Sequence, residues 1–363
     1  MTGVRIVAAL RTPIGTAGHG LADVDAAALA APVLARLADV TGPPGEVVLG
    51  NCTGPGGDVA RVASLAAGLG VGTPALTVDR QCGSGLAAID VGCALVARSG
   101  RPVLAGGVES ASTAPTRTGA DGRAYDRAPF APAPYDDPDM GLAADLLAEE
   151  QRIDRQAQDE YAARSHARAV EAWANGAFDD EVVPIGGLVR DERPRGGMTA
   201  DRLARLRPAF RTGGTVTAGS SCGINDGAAA VALVPDAGAG PGLRVLATAT
   251  SGVDPARPGI GLVPAVQEAL SLAGLTLDDI DVVELNEAFA GQVLACCSVL
   301  GLDPVRVCPE GGALALGHPW GASGAVLVVR LWHQLLRGPG RYGLAGIAVG
   351  GGQGVAMVVE ALP

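Results

Sequence analysis

Three short stretches of this chain hold residue types that can do chemistry together. Arg80-Gln81-Cys82-Gly83-Ser84-Gly85 sets a cysteine between an apolar strand pattern and the start of a helical one. At a helix N-terminus the free N–H groups and the helix dipole favour a thiolate. The flanking glycines let a substrate reach the sulfur without an intervening Cβ. Gly311–Gly324 reads GGALALGHPWGASG and carries His318, which alone among four histidines sits in a glycine-lined loop before a helix. Pro319 stiffens the turn after it. A histidine beside a thiolate can act as a base or as an N–H donor to a developing oxyanion. Asn286-Glu287-Ala288-Phe289-Ala290 follows a strand directly, and Asn286 can position a water or donate a hydrogen bond. Each stretch has a plainer reading: a buried structural thiol, a loop-capping histidine, an N-cap asparagine. Together, in this order and at these separations, they are specific.

The elements that must position these residues alternate in type. Val4–Ala9 and Glu46–Gly50 read as buried strands with an Ala/Leu-rich helix, Asp25–Asp39, between them. Leu76–Asp79 is a strand, Gly85–Arg98 a helix, and Pro102–Ala105 a strand running into Gly106-Gly107. This is α/β order, with a largely parallel sheet covered by helices. Thr113–Asp139, rich in Pro, Gly, Asp and Arg, reads as an irregular excursion. A helix then runs from an Asp154 N-cap to a stop at Gly176, and Ile185–Gly197 is irregular again. Val216–Thr217, Asn225–Val234 and Leu243–Thr250 resume the α/β order. Helices over Pro264–Ala273, Ala288–Leu300 and Ala325–Leu336 flank strands Val282–Leu285 and Leu344–Val349, the last running into Gly350-Gly351-Gly352. Cys82-Gly83-Ser84-Gly85, helix, strand, Gly-Gly is mirrored by Gly321-Ala322-Ser323-Gly324, helix, strand, Gly-Gly-Gly. Two duplicated halves are therefore expected.

Composition removes several function classes. All 27 basic residues are arginine, so Schiff-base and lysine general-base chemistry are closed. A net charge of −11 argues against nucleic acid as a partner, while a few local arginines remain able to hold a small anion. The seven cysteines are odd in number and form no CxxC pair, so neither a disulfide framework nor a metal site is expected. That usage fits a reducing cytoplasm. The sequence shows no basic-then-apolar leader, and no apolar run reads as long enough to span a bilayer, so no membrane partner is expected.

The chain resembles the thiolase family over essentially its whole length. The resemblance rests on Arg11-Thr12-Pro13-Ile14-Gly15, the Cys82 segment, Gly106-Gly107-Val108-Glu109-Ser110, Met140-Gly141 and Leu206-Arg207-Pro208-Ala209-Phe210. It extends through Gly214-Thr215-Val216-Thr217-Ala218-Gly219, Asn225-Asp226-Gly227, NEAFA and GGALALGHPWGASG. It implies a five-layered αβαβα fold of two similar halves, with residues 1–111 and 216–240 in the first, 241–363 in the second, and 112–215 as a loop domain. It implies an acyl-CoA acyltransferase that carries an acyl thioester on Cys82 and makes or breaks a carbon–carbon bond by Claisen chemistry. No cofactor is implied beyond the coenzyme A thioester substrate. His318 and a water held by Asn286 would form one oxyanion hole, and the N–H groups of Cys82 and Gly350 the other. Met140, Arg195, Phe210, Ala218, Cys222, Ala288 and Phe289 match positions along the coenzyme A groove, with Arg195 toward the nucleotide. A two-fold homodimer is expected through the Gly106–Ser110 edge and its surroundings.

The chain also departs from the family. The family's last core strand ends Cys-x-Gly-Gly-Gly, and this second cysteine removes the α-proton of the second acyl-CoA, or protonates the leaving carbanion in the reverse direction. Here the position is Ala348. Alanine cannot move a proton, and general acid–base help is worth about 10²–10⁴-fold. Cys222 stands where many relatives have a serine against the pantetheine arm, and Cys308 shortly precedes the His318 loop; either is a candidate substitute. Decarboxylative condensation, acyl transfer to a non-carbon nucleophile, and a non-catalytic acyl-CoA-binding scaffold are the competing readings. The excursion Thr113–Asp139 is shorter than the segment that joins dimers into tetramers in many relatives. Asp139 precedes Met140 where some acetoacetyl-CoA-forming relatives have histidine.

Overall fold

The computed structural model describes residues 3–125, 127–238 and 240–363. The first half runs β1 (Val4–Arg11), β2 (Gly15–Thr16), α1 (Ala26–Thr41), β3 (Glu46–Gly50), α2 (Val59–Ala66), β4 (Ala75–Val78), α3 (Ser84–Ser99), β5 (Val103–Ser110). A hairpin of β6 (Arg117–Thr118) and β7 (Ala124–Tyr125) follows, then α4 (Met140–Glu150), α5 (Arg155–Ala174) and α6 (Ala200–Leu203). β8 (Asn225–Pro235) and β9 (Gly242–Gly252) lead to α7 (Leu262–Ala273), β10 (Val282–Leu285), α8 (Ala290–Leu300) and α9 (Ala313–Leu316). The chain closes with α10 (Trp320–Arg337), β11 (Tyr342–Val349) and β12 (Gln353–Leu362).

The strands follow the order β10-β11-β12-β9-β1-β8-β5-β3-β4, with β2 on β8. The two ends of this path repeat each other. β3 and β5 pair in parallel and β8 lies antiparallel to β5, as β10 and β11 pair in parallel and β12 lies antiparallel to β11. Among the described residues, only Arg5↔Arg244 and Ile6↔Leu243 join the two sets of strands, through β1 and β9. In the second half the counterpart of β4 shrinks to one parallel bridge, Val283↔Val307. Helix α1 covers the outside of the first set, α7 the outside of the second, and α3 and α10 lie between them. This is the five-layered arrangement the motifs imply.

Several boundaries differ from the sequence pattern. α10 begins at Trp320 rather than Ala325, because the small residues of its first turn are packed into the central layer. α8 begins at Ala290, since Phe289 is still extended and bridges Ser221. Val216–Thr217 is no strand; Thr217 makes a single bridge to Pro208. β5 does not stop at Ala105 but continues through both glycines, which have ladder partners on either side, β3 and β8. Gly106 and Gly107 are therefore interior to the sheet, whereas Val108–Ser110 pair with β8 alone and run past the end of β3; the outer strands are β4 and β10. Gln81–Ser99 is long and apolar enough to cross a bilayer, which corrects the expectation that no such run exists. It includes α3, which here lies between two sheets.

The low aromatic content has a geometric reason at the centre. A Cβ on Gly85 of α3 would lie 2.8 Å from the Gly321 carbonyl oxygen, and one on Gly324 of α10 would lie 2.6 Å from the Leu86 nitrogen. A Cβ on Gly107 would come within 2.0 Å of the same Gly321 oxygen. The two helices thus meet backbone to backbone at their first turns, and the mirrored Ser-Gly pairs are the contact.

A buried ion network ties the region after α5 to this centre. The Arg11 guanidinium donates to Glu181 at 2.6 Å and bidentately to Asp191 at 2.7 and 3.0 Å, all without solvent exposure. Glu181 also takes Arg330 of α10, and the Arg11 and Arg330 guanidinium groups both lie over the Phe178 ring, 5.3 and 4.4 Å from its centroid. Removing one partner would strand a buried charge, so the network holds its segments together more than it adds net stability.

Gly324→Ala should cost about 1–3 kcal/mol, the usual range for forced overpacking. Gly72→Ala, at a turn with nothing within 4 Å, should be neutral or stabilising by about 0.4–1 kcal/mol. Urea unfolding of both variants measures the difference, and equal effects would contradict the close helix contact.

Candidate active site

Cys82 sits on the turn between β4 and α3. Gln81 before it has φ +45°, a conformation side chains rarely adopt. Local bonds hold it: the Gln81 N–H donates to Asp79 at 2.7 Å, and the Ser84 hydroxyl donates to the Gln81 carbonyl at 2.6 Å while accepting from the Arg80 N–H at 2.8 Å. The sulfur is thus displayed ahead of the helix N-terminus, as the motif predicts. The expected thiolate bias is outweighed, however. Burial pushes the Cys82 thiol up to about 12, with Cys222 and Glu109 adding to it.

His318 faces it from the loop before α10. Its N–H donates to the Asn225 side-chain oxygen at 3.0 Å, and Gly317, at φ +115°, lets the chain turn against that amide. Nδ1 lies 2.6 Å from the Ser323 hydroxyl, leaving Nε2 for the cavity. Ser84 and Ser323, the paired serines of the two halves, each fix the loop that presents a functional residue. Burial lowers His318 to about 4, so the ring is neutral near pH 7.

Both residues line one cavity of about 120 Å³ whose wall is mostly apolar. Of the expected groove residues, Met140, Cys222, Ala288 and Phe289 line it, as do Gly350 and Ala348. The titratable groups among its lining residues are Cys82, Cys222 and His318. Asn286 opens instead on a separate space of about 10 Å³ shared with Ser323 and Glu284. That is roughly the room one water needs.

The other expected residues lie outside this cavity. Phe210 is exposed but stacks edge-on against Phe289 at 5.9 Å, and a Cβ on Gly141 would strike its ring at 2.1 Å. Ala218 and Arg195 are exposed, and the Arg195 N–H donates to His166 at 3.3 Å. The arginine beside Cys222 is Arg193, packed on Gly223. Cys308 is buried away from the cavity, its thiol on the Leu285 carbonyl at 3.2 Å.

The sequence reading missed the carboxylates that hold the site. Glu109 accepts from the N–H groups of Cys52 at 3.1 Å, Thr53 at 3.0 Å and Gly321 at 3.0 Å, tying the loop after β3 to the start of α10. Glu287 accepts from Tyr161 at 2.9 Å, Ser165 at 2.7 Å and the Leu314 N–H at 3.1 Å, tying α5 to α9 just before His318. Both acids sit inside motifs already singled out, GGVES and NEAFA. Their signal was an acid in an otherwise apolar run. Trp320, visible in GHPWG, also lines the cavity.

A half-buried cysteine and a neutral histidine, each at a helix entrance of a duplicated αβαβα core, define an acyl-transfer enzyme of the thiolase type. The comparisons agree. The thiolase N-terminal domain matches residues 4–237 and the thiolase C-terminal domain residues 241–361. An acetyl-CoA acetyltransferase of Pseudomonas aeruginosa is 43% identical over 393 residues, covering 99% of both chains. The beta-ketothiolase BktB of Cupriavidus necator is 42% identical over 389 residues, covering 98% of each. The crystal structure of the Bacillus anthracis acetyl-CoA acetyltransferase superposes with a TM-score of 0.93 at 38% identity, covering 100% of this chain and 99% of that one. The chain belongs to the thiolase family and is an acyltransferase.

Burial holds three histidines below the ordinary 6.5: His318 and His166 near 4, and His333 lower than usual. The unfolded chain accepts protons near 6.5 that the native rings refuse, so unfolding takes up protons as pH falls. Stability should therefore drop between pH 6.5 and 4. Denaturation midpoints at pH 7.5 and 5 check the sign, and His318→Asn should flatten the slope.

Proposed function

We propose that Cys82 takes the acyl group from an acyl-CoA and that His318, with a water on Asn286, stabilises the thioester oxyanion. The N–H groups of Cys82 and Gly350 are proposed to hold the oxyanion of the tetrahedral intermediate. The observation that carries this is the meeting of Cys82 and His318 in one apolar cavity, where few waters would compete with a thioester. The pantetheine arm would pass Met140, Cys222, Ala288 and Phe289, and the rest of coenzyme A would lie across Phe210, Ala218 and Arg195. The reading needs no resident cofactor. Decarboxylative condensation, transfer to a non-carbon nucleophile and a scaffold role find no support among the relatives.

Ala348 is proposed to stand where the family's acid/base cysteine belongs. Its presence in the cavity wall supports this. Acetyl-CoA should label Cys82 in intact-protein mass spectrometry, and Cys82→Ser should abolish the label. Ala348→Cys should raise thiolysis of acetoacetyl-CoA at least about tenfold, the low edge of general-base catalysis, with little gain for malonyl-CoA. Ordinary thiolase rates in the unmodified protein would refute this reading of Ala348; Cys222→Ser is then the variant to make.

We also propose a cytoplasmic homodimer, with residues 1–111 and 216–240, 112–215 and 241–363 as its three structural parts. Seven unpaired cysteines fit a reducing compartment. For the dimer, the strand with a free edge nearest Cys82 is β4, and exposed apolar side chains surround it: Leu76 at 41%, Val71 at 86% and Val62 at 49%. A second copy adding strand to strand would cover them. Light scattering at micromolar concentration should give a dimer, and Leu76→Arg should shift it toward monomer. A tetramer or a monomer for the unmodified chain would contradict the proposal.

A further inference from the structure

A second cavity, of about 230 Å³, adjoins Cys82 and shares Met140, Trp320 and Gly350 with the first. An acyl chain on the sulfur has these two spaces to choose between, and their walls differ. The first is apolar. The second is lined by two arginines, Arg117 and Arg127, together with Phe130. Arg127 is fully engaged: it donates to Asp137 at 2.8 Å, lies 3.6 Å from Asp139, and stacks 4.6 Å over the Phe130 ring. Arg117 is not. It donates one N–H to the Cys52 carbonyl at 2.8 Å, and among the described residues no carboxylate lies within ion-pair reach of it.

A hydrocarbon tail in this cavity would strip water from Arg117 and offer it nothing in return. A carboxylate at the end of the tail would accept from the guanidinium fork, the strongest ordinary pairing available to it. Resting on Cys82 as the acyl carrier, we propose that this cavity receives the acyl chain and that the preferred donor is an ω-carboxyacyl-CoA. Arg117 binds the terminal carboxylate. Trp320, at the wall common to both spaces, separates the acyl chain from the pantetheine side. The step is ordinary thioester exchange. The Cys82 sulfur bonds to the acyl carbon, the bond from that carbon to the coenzyme A sulfur breaks, and the thiol proton of Cys82 leaves with coenzyme A as its thiol.

The test compares pairs of equal chain length, succinyl-CoA with butyryl-CoA and glutaryl-CoA with pentanoyl-CoA, by the rate at which each labels Cys82 in the intact protein. The carboxylated member should react at least about tenfold faster, the lower end of what a hydrogen-bonded charge contributes. Arg117→Gln should bring each ratio below about threefold, and Arg117→Lys, which keeps the charge, should retain part of it. Equal or faster labelling by the neutral acyl groups overturns the proposal even if no variant folds. An unchanged ratio in a folded Arg117→Gln protein overturns it too. If acetyl-CoA labels Cys82 without any such preference, the acyl-carrier reading survives and this one falls. If no acyl-CoA labels Cys82, both fall.

Discussion

Everything at the active site depends on two helix entrances meeting with no side chain between them. Cys82 and His318 belong to different halves of the chain and are separated by most of its length. They face each other only because Gly85, Gly107, Gly321 and Gly324 let the first turns of α3 and α10 touch. Any Cβ there would push one loop from the other, and a displacement of about an ångström is enough to spoil a reacting geometry. The small-residue composition is thus a requirement of the site as much as of the core.

Around that contact, acids do the positioning and arginines do the joining. Glu109 and Glu287 collect N–H and hydroxyl groups from loops that have no other reason to stay together. Burial raises the Glu287 carboxyl, while its donors Ser165 and Tyr161 pull it back down. The Arg11 network does the same for the region after α5, and through Arg330 it reaches the middle of the helix that starts beside His318. Loop and core are therefore one mechanical unit.

The fold and the reactive pair were legible because they are written locally. A cysteine before Gly-Ser-Gly and a histidine after Leu-Gly need only their neighbours to announce a helix entrance. The five layers were legible through family motifs rather than through periodicity, which missed α2, α4 and β12 and began α10 five residues late. What the chain order hides is which atoms meet. Nothing in it indicates that Asn286 faces a space behind His318 and Ser323, or that Arg193 rather than Arg195 lies beside Cys222. Nor does it reveal that Gly106 and Gly107 are paired on both sides while Val108–Ser110 pair with β8 alone, since edge and centre strands differ in partners and not in pattern. The two influences on the Cys82 thiol differ in the same way: the helix entrance that favours thiolate is local, and the burial that raises the thiol comes from distant segments.

The absence of lysine takes on a further meaning in a protein that handles thioesters. Activated acyl groups react slowly with any free amine they meet, and a lysine near the cavity mouth would compete with Cys82 and end as an amide that no thiol can reverse. Guanidinium groups stay protonated and do not compete. The arginines that hold carbonyls and carboxylates throughout this structure can therefore supply positive charge close to a reactive ester without being consumed by it.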